Sequence, residues 1–264
     1  MTGPLTGLTH RPTRNRETRA GDHSPGSRPA TSLTGDREPL CQCVPVHVGI
    51  LGGTGPLGRG LGLRLAQAGS SVVIGSRDAE RAAEVVGAVQ QRWPGRHLDV
   101  RGAANDGAAA CDLVVVATPW EAAVATVRPL AAQLGDKVVV SVANALVRQG
   151  REMHALVPPR GSVSAALQAE LPRARVAAAG HHLPAADLED LDRALAADVL
   201  VCSDHEDATA AAMALIGSIG GLRPLDAGSL ASAAAIEAFT AVLVTVNIRY
   251  KAHSSLHLTG LEQL

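Results

Sequence analysis

The sequence predicts an α/β protein with a Rossmann-type, doubly wound parallel sheet and a small α-helical C-terminal domain. Short apolar runs alternate with helical patterns between residues 46 and 203, and such alternation is typical of parallel βαβ units. The first apolar run breaks into glycines and continues as a helix, which is the usual start of a doubly wound sheet. After residue 205 the apolar positions follow helical spacing, so we expect the C-terminal part to be rich in α-helix.

The first strand, turn and helix surround a G-x-G-x-x-G motif formed by Gly53, Gly55 and Gly58. In this context the motif predicts a dinucleotide site, in which Gly53 permits the sharp turn and Gly55 lets the backbone approach a pyrophosphate. Gly58 lets the helix pack closely on the strand, and the N-terminus of the helix offers unpaired N–H groups to phosphates. A glycine turn that only joins a strand to a helix is the alternative, and the fit of both flanking elements favours the dinucleotide site.

The second strand ends at Ser76 and Arg77, about 20 residues after the glycines, where such folds select their cofactor. An acidic residue here would accept a hydrogen bond from the ribose of NAD. The chain instead carries a hydroxyl and a guanidinium, and Arg81 follows one helical turn later on the same face. These three side chains suit a 2′-phosphate and predict NADP, whereas pairing of the arginines with Asp78 and Glu80 is the alternative.

The remaining elements continue the alternation. We expect strands at 71–74, 97–101, 113–117, 137–141, 175–180 and 199–203, and helices at 79–91, 105–110, 163–170, 206–218 and 230–249. The sequence therefore predicts an NADP-binding Rossmann domain at residues 45–204 and a small α-rich domain at residues 205–264. Residues 1–44 are rich in Thr, Arg, Gly, Pro and Ser, so we expect a disordered N-terminal extension.

Two later strands end in residues that suit a ligand site, because ligands bind outside the carboxyl ends of the strands in such sheets. The fourth strand leads to Thr118 and Trp120, and we interpret Trp120 as a lid over the cofactor, with ordinary core packing as the alternative. The sixth strand leads to His181 and His182, which point in different directions in an extended chain and make a poor metal pair. His181 is our candidate contact for a second ligand, and one structural plus one exposed histidine is the alternative.

Charge and composition argue against several other classes of protein. A formal net charge of −1 and a pI near 6.8 give no reason to expect nucleic acid or an anionic membrane as a partner. No apolar run reaches the roughly 18 residues of a membrane span, because Glu237 and Thr240 interrupt the most apolar segment, 231–246. We therefore expect a soluble, cytoplasmic protein.

The four cysteines, at positions 41, 43, 111 and 202, are too scattered for a disulfide framework. Cys41 and Cys43 lie near His47, but a structural metal site needs a fourth ligand. We therefore interpret this segment as a linker and expect no metal.

Taken together, these stretches resemble one family, the NADPH-dependent reductases of coenzyme F420, also called F420H2:NADP oxidoreductases. The matching stretches are 52–58 (GGTGPLG), 74–77 (IGSR), 118–121 (TPWE), 181–185 (HHLPA), 226–228 (DAG) and 249–253 (RYKAH). The resemblance covers about residues 46–260. It implies a Rossmann domain with a small helical C-terminal domain, a homodimer, and NADP(H) and coenzyme F420 as the small-molecule substrates.

The resemblance also implies the site residues. The pyrophosphate of NADP would lie along Thr54, Gly55, Pro56 and Leu57, and its 2′-phosphate would bind Ser76, Arg77 and Arg81. Thr118, Trp120 and Ala122 would border the nicotinamide, whereas His181, Leu183, Ala185 and Leu256 would contact the deazaflavin. His182 departs from the small polar residue that some members carry at this position.

The implied reaction moves a hydride between C4 of the nicotinamide and C5 of the deazaflavin. Both coenzymes carry their own reactivity, so the protein needs no nucleophile and no metal, and its task is to hold two rings face to face. We expect His181 to orient the deazaflavin.

Two other functions stay open at this point. One is a different NADP-dependent reductase on the same fold, which acts on an imine, a metal chelate or a small ketone with His154, His181 or Lys251 as acid or base. The other is a non-catalytic NADP sensor whose C-terminal helices bind a protein partner.

Overall fold

The computed structural model describes residues 46–261. The predicted N-terminal extension, with Cys41 and Cys43, lies outside the described residues. Ten strands and nine α-helices follow in this part of the chain. The strands are β1 (His47–Leu51), β2 (Ser71–Ser76), β3 (Val100–Ala104), β4 (Leu113–Val116), β5 (Val138–Ser141), β6 (Leu146–Gln149), β7 (Glu152–Ala155), β8 (Arg175–Ala178), β9 (Ala197–Ser203) and β10 (Leu222–Asp226). The helices are α1 (Pro56–Gln67), α2 (Ala79–Arg92), α3 (Asn105–Ala109), α4 (Trp120–Val127), α5 (Ala131–Leu134), α6 (Val163–Glu170), α7 (Ala185–Glu189), α8 (Glu206–Gly217) and α9 (Ala233–Tyr250).

Eight strands form one sheet in the order β10-β9-β8-β5-β4-β1-β2-β3. Neighbouring strands are parallel, except that β8 and β9 are antiparallel. Because β1 pairs with both β2 and β4, the strand order reverses there, and the crevice at the carboxyl ends of β1 and β4 is the expected ligand position of a doubly wound sheet. The predicted fold class is confirmed.

Apolar layers cover the sheet on both faces. Val48 and Ile50 belong to one buried cluster, whereas Leu51 belongs to the other, as the alternation of side chains along a strand requires. Both clusters consist of Val, Leu, Ile, Ala and one Cys, since the sequence offers few aromatic residues. The inner strands β1, β2, β4, β5 and β8 are therefore buried on both sides, which explains their continuous apolar runs, whereas the edge strand β3 is largely not buried.

Three elements were not predicted, namely the β6–β7 hairpin, α7 and β10. The hairpin strands are four residues each and largely exposed, so they show no apolar alternation. Strand β10 contains Pro224, which cannot donate a ladder hydrogen bond, and it lies at the sheet edge where this is tolerated. Residues 205–261 thus add a strand to the main sheet besides two helices, and the division into domains at residue 204 stays a prediction.

Helix α1 is joined to the segment around α7 by one buried arginine. The guanidinium of Arg64 donates to the backbone oxygens of Asp187, Leu188, Asp190 and Arg193, at 2.5 to 3.1 Å. Only 6% of Arg64 is exposed, and hydrogen bonds to a charged donor are stronger than neutral ones. The glycine-loop helix and the segment that follows His181 are therefore held as one unit.

We expect Arg64→Met to lower the free energy of unfolding by about 3 kcal/mol or more, because four backbone carbonyls, two of them in buried hydrogen bonds, lose their donor. Urea denaturation followed by circular dichroism measures this change. The matched control is Arg101→Met on β3, an exposed arginine, which should stay within about 0.5 kcal/mol of the unchanged protein. Equal stability of the two variants would contradict the role of Arg64.

Candidate active site

A cavity of about 720 Å³ lies at the carboxyl ends of β1, β2, β4 and β5. Ten of the residues predicted from the sequence line it: Thr54, Gly55, Pro56, Leu57, Ser76, Arg77, Arg81, Thr118, Trp120 and Ala122. A second cavity, of about 710 Å³, lies between α6 and the start of α9, and none of the predicted residues lines it. The cavity at the strand ends is therefore the candidate active site.

The sharp turn after β1 is made at Gly52, and the assignment of this turn to Gly53 was wrong. Gly52 has a φ of +66°, in the left-handed region that favours glycine. A Cβ on Gly52 would also lie 2.4 Å from Cγ2 of Thr118. Gly53 is needed for a different reason, since a Cβ there would lie 2.9 Å from the backbone oxygen of Ile50.

Gly55 and Gly58 differ in the space around them. A Cβ on Gly58 would lie 2.7 Å from Cα of Gly53, so α1 packs against the loop only because residue 58 has no side chain. The nearest atom to a Cβ on Gly55 is the Gly52 oxygen at 4.0 Å, which leaves open space on this side of the loop. No described side chain caps the N-terminus of α1, so its first N–H groups are available to an anion.

Ser76, Arg77 and Arg81 come together at the end of β2 and the start of α2. The carboxylate of Asp78 caps α2 and accepts from the backbone N–H groups of Glu80 and Arg81, at 2.9 and 3.4 Å. Within residues 46–261 neither Arg77 nor Arg81 forms an ion pair. The alternative of arginines neutralised by Asp78 and Glu80 is therefore not observed, and both guanidinium groups remain available to a phosphate.

Asn105, which the sequence interpretation missed, supports the glycine loop. Its side-chain oxygen accepts from the backbone N–H of Gly52 at 3.2 Å, and it lines the cavity. The available signal was a polar residue directly after the third strand, at the edge where the carboxyl ends of parallel strands meet.

Thr118 and Trp120, which follow β4 in the chain, form part of the cavity wall. Trp120 is the first residue of α4, and its ring packs against one apolar layer of the sheet while it lines the cavity. Its Nε1 and the Thr118 hydroxyl are enclosed and have no hydrogen-bond partner among the described residues. Such groups are costly unless they find a partner, which is consistent with a wall completed by a ligand.

The residues predicted to contact the deazaflavin, His181, Leu183, Ala185 and Leu256, do not line this cavity, and neither do Gly53 and Gly58 of the glycine loop. The chain turns at Gly180, whose φ is +72°, and the His181 side chain is fully buried. Burial lowers the pKa of His181 to about 3, so its ring is neutral at neutral pH. The His182 ring is also buried and forms a hydrogen bond of 2.8 Å with the Asp198 backbone oxygen.

Comparisons with known proteins agree with this arrangement. The profile of a family described as "NADP oxidoreductase coenzyme F420-dependent" matches residues 47–145. The F420-dependent NADP reductase of Methanocaldococcus jannaschii is 36% identical over 223 residues, which cover 82% of this chain and 100% of that protein. The F420-dependent NADP reductase of Methanothermobacter thermautotrophicus is 34% identical over 230 residues, 85% of this chain and 99% of the relative.

Among solved structures, a crystal structure from Arthrobacter sp. FB24, assigned as an F420-dependent NADP-reductase, superposes with a TM-score of 0.68 at 25% identity. The match covers 81% of this chain and 99% of the other. A reductive aminase from Aspergillus terreus has a TM-score of 0.53 at 15% identity, covering 79% and 63%, and shares the fold alone. The resemblance found in the sequence is confirmed, and the chain belongs to the family of coenzyme F420-dependent NADP oxidoreductases.

Proposed function

We propose that this protein transfers a hydride between NADP(H) and coenzyme F420. The observation that carries this proposal is the cavity at the strand ends. It holds an open glycine loop and two arginines that form no ion pair with any other described residue, in a chain whose relatives are named F420-dependent NADP reductases. The free space beside Gly55, and two guanidinium groups that no carboxylate in residues 46–261 neutralises, fit a dinucleotide with a 2′-phosphate.

In the nucleotide half, residues 54–57 would bind the pyrophosphate with backbone N–H groups. Gly53 and Gly58 shape the loop, and Asn105, at the start of α3, holds it through the Gly52 N–H group. Ser76, Arg77 and Arg81 would bind the 2′-phosphate, with Asp78 kept away from them by its capping role. Binding energy at these remote groups serves to orient the reacting ring.

In the reacting half, Thr118, Trp120 and Ala122 would border the nicotinamide and exclude water. The coenzymes supply the hydride chemistry themselves when bound. The charged residues that line the cavity, Arg77, Asp78, Arg81 and Glu121, are all exposed. Because none of these charged side chains is buried in the cavity wall, the site suits a hydride transfer between two coenzymes, which needs no general acid from the protein.

The deazaflavin contacts at His181, Leu183, Ala185 and Leu256 stay predictions. Asn144 lines the cavity and donates from Nδ2 to the His181 backbone oxygen at 2.8 Å, so it connects the His181 segment with the cavity. We propose that the deazaflavin enters beside the nicotinamide on this side.

Oxidation of NADPH in the presence of purified coenzyme F420, followed by the loss of the visible absorbance of the deazaflavin, tests the proposed function. We expect turnover with NADPH and the deazaflavin and none with a ferric chelate or a cyclic imine. Turnover of a chelate or imine alone would indicate another NADP-dependent reductase. Binding of NADPH without transfer to any acceptor would indicate a sensor.

The homodimer implied by the family is also part of the proposal, and the solvent side of α9 supports it. Apart from the buried Glu237, this helix carries no charged residue before Arg249. Its exposed positions before Arg249 are Ala234, Ala235, Ala238, Phe239 and Val242. Exposed apolar patches mark interaction sites, and a self-complementary face fits a twofold dimer, in which both copies use the same surface.

By length and composition, Leu230–Tyr250 is also apolar enough to cross a membrane, with 28% of its most apolar window buried. Glu237 accepts hydrogen bonds from the start of α6, so its side of the helix is built into the fold. We therefore propose that a second copy of this chain, and not a membrane, covers the exposed apolar side of α9. The cytoplasmic location stays a prediction from the sequence.

We expect Val242→Glu to convert a dimer into a monomer and to weaken self-association about 100-fold, because a charge would be buried in the interface. Size-exclusion chromatography with light scattering measures the mass. Val46→Glu is the matched control, since Val46 is 45% and Val242 is 55% exposed and Val46 lies at the start of β1. A monomeric unchanged protein would contradict the homodimer, and a dimeric Val242→Glu would contradict this interface.

A further inference from the structure

Helix α9 carries one acidic side chain, and it is buried. Glu237 is 4% exposed, and its carboxylate accepts from the backbone N–H groups of Val163 and Ser164, at 2.8 and 3.0 Å. The Ser164 hydroxyl donates to the same carboxylate at 2.8 Å. Glu237 therefore caps the N-terminus of α6 from a distant part of the chain, where a negative charge is favourable.

The same carboxylate faces the buried ring of His181. Nε2 of His181 lies 3.9 Å from Oε1 of Glu237, which is too long for a hydrogen bond. Neither ring nitrogen has a hydrogen-bond partner among the described residues. Because a buried N–H group without a partner is costly, the carboxylate side is the favourable place for the single proton of a neutral ring.

Ionisation of the two groups is consistent with this arrangement. Burial lowers the pKa of His181 to about 3, so the ring carries one proton at neutral pH. Burial raises the pKa of Glu237, whereas its hydrogen bonds from Val163 and Ser164 act in the opposite direction and favour the ionised carboxylate.

His181 is joined to the cavity through its backbone. Asn144 follows β5, His181 follows the neighbouring strand β8, and Nδ2 of Asn144 donates to the His181 oxygen at 2.8 Å. Asn144 lines the cavity, and its Oδ1 is enclosed without a partner among the described residues. A continuous set of contacts thus leads from α9 to the cavity wall.

We propose that Glu237 is a positioning residue of the active site, which acts through His181 and Asn144 on the wall that receives the second coenzyme. The proposal rests on the proposed function for the identity of that coenzyme. It also gives His181 a different role from the direct deazaflavin contact that the family resemblance implies. In this role the His181 ring, packed beside Glu237, fixes the position of the turn after β8 relative to α9. The hydrogen bond between Asn144 and the His181 backbone oxygen then fixes the position of Asn144 in the cavity wall.

The first test needs no deazaflavin. Nitrogen-15 NMR of histidine-labelled protein, with the His181 signals identified by their loss in His181→Asn, reports which ring nitrogen carries the proton. We expect the proton on Nε2 in the unchanged protein and a mixture of both forms in Glu237→Gln, because the carboxylate is gone. Thr240→Val is the matched control. Within the described part of the chain, the buried Thr240 hydroxyl donates only to the Ile236 oxygen of its own helix, so this variant should leave the ring signals unchanged.

The second test is kinetic. We expect Glu237→Gln and Asn144→Ala each to raise the KM for coenzyme F420 about tenfold, with the Kd for NADPH within about twofold, because the phosphate sites lie on other strands. Thr240→Val should change neither constant. If Glu237 had a purely structural role, Glu237→Gln would lower the free energy of unfolding, but it would not raise the KM for coenzyme F420 while leaving the Kd for NADPH unchanged.

The outcomes separate the two proposals. If the unchanged protein does not turn over the deazaflavin, the proposed function fails, and the ring signals still decide whether Glu237 controls His181. A proton on Nδ1 in the unchanged protein, or a folded Glu237→Gln with unchanged ring signals, overturns the inference. If Glu237→Gln does not fold, the inference is decided by the spectrum of the unchanged protein and by the kinetics of Asn144→Ala. An Asn144→Ala variant whose KM for coenzyme F420 equals that of the unchanged protein overturns the inference.

Discussion

We expect replacement of Arg77 by alanine to raise the KM for NADPH by about 30- to 100-fold and to change the KM for NADH by less than about threefold. The reason is the loss of a charge-assisted contact with the 2′-phosphate, which contributes about 2–3 kcal/mol, and NADH lacks this phosphate. Arg77 lines the cavity and forms no ion pair within the described part of the chain, so the substitution breaks no ion pair there. Steady-state kinetics with both nucleotides measure the effect.

Two further variants make this experiment specific. Arg77→Lys keeps the charge but not the planar pair of donors, so we expect an intermediate KM for NADPH. Arg101→Ala removes an exposed arginine from β3 that does not line the cavity, and it should leave both KM values unchanged. An Arg77→Ala variant with an unchanged preference for NADPH, or an equal loss with both nucleotides, would contradict the assignment of the 2′-phosphate site.

We expect replacement of Gly55 by alanine to raise the Kd for NADPH about 100-fold and to leave the protein folded. The backbone of Gly55 has φ −73° and ψ 163°, which alanine adopts without strain. The added methyl group meets no protein atom closer than 4.0 Å, but it would occupy the space in which the pyrophosphate approaches the loop. Fluorescence titration with NADPH and a thermal unfolding curve measure the two effects.

We expect replacement of Gly58 by alanine, in contrast, to act on the fold itself. Its Cβ would lie 2.7 Å from Cα of Gly53, and neither backbone can yield without opening the loop. We expect a loss of about 2–3 kcal/mol in unfolding free energy, with NADPH binding lost as a consequence. A Gly55→Ala protein that binds NADPH normally would show that the pyrophosphate lies elsewhere.

The nucleotide half of the site could be predicted because its signals are local. The glycines at 52–58 and the residues at 74–81 lie in short stretches whose strand–turn–helix context is visible in the sequence. Even here the role of Gly52 was missed, because the sequence alone does not show which of two adjacent glycines has the positive φ.

The second half of the site could not be predicted in the same way. The periodicity correctly places His181 after a strand, but it does not show whether the ring turns toward the cavity or into the protein. The turn at Gly180 and the packing of α9 place it inside, beside Glu237. Glu237 itself was considered only as an interruption of an apolar segment.

The sequence by itself determined the alternation of strands and helices, the dinucleotide loop, the choice of NADP over NAD as a prediction, and the family. These depend on neighbours within about one helical turn or one βα unit. Only the tertiary structure decided which residues from distant segments meet, as in the Asn105–Gly52 bond across 53 positions and the Glu237–Ser164 bond across 73. The physical reason is that such contacts depend on strand order and on the direction of each turn, which no local pattern specifies.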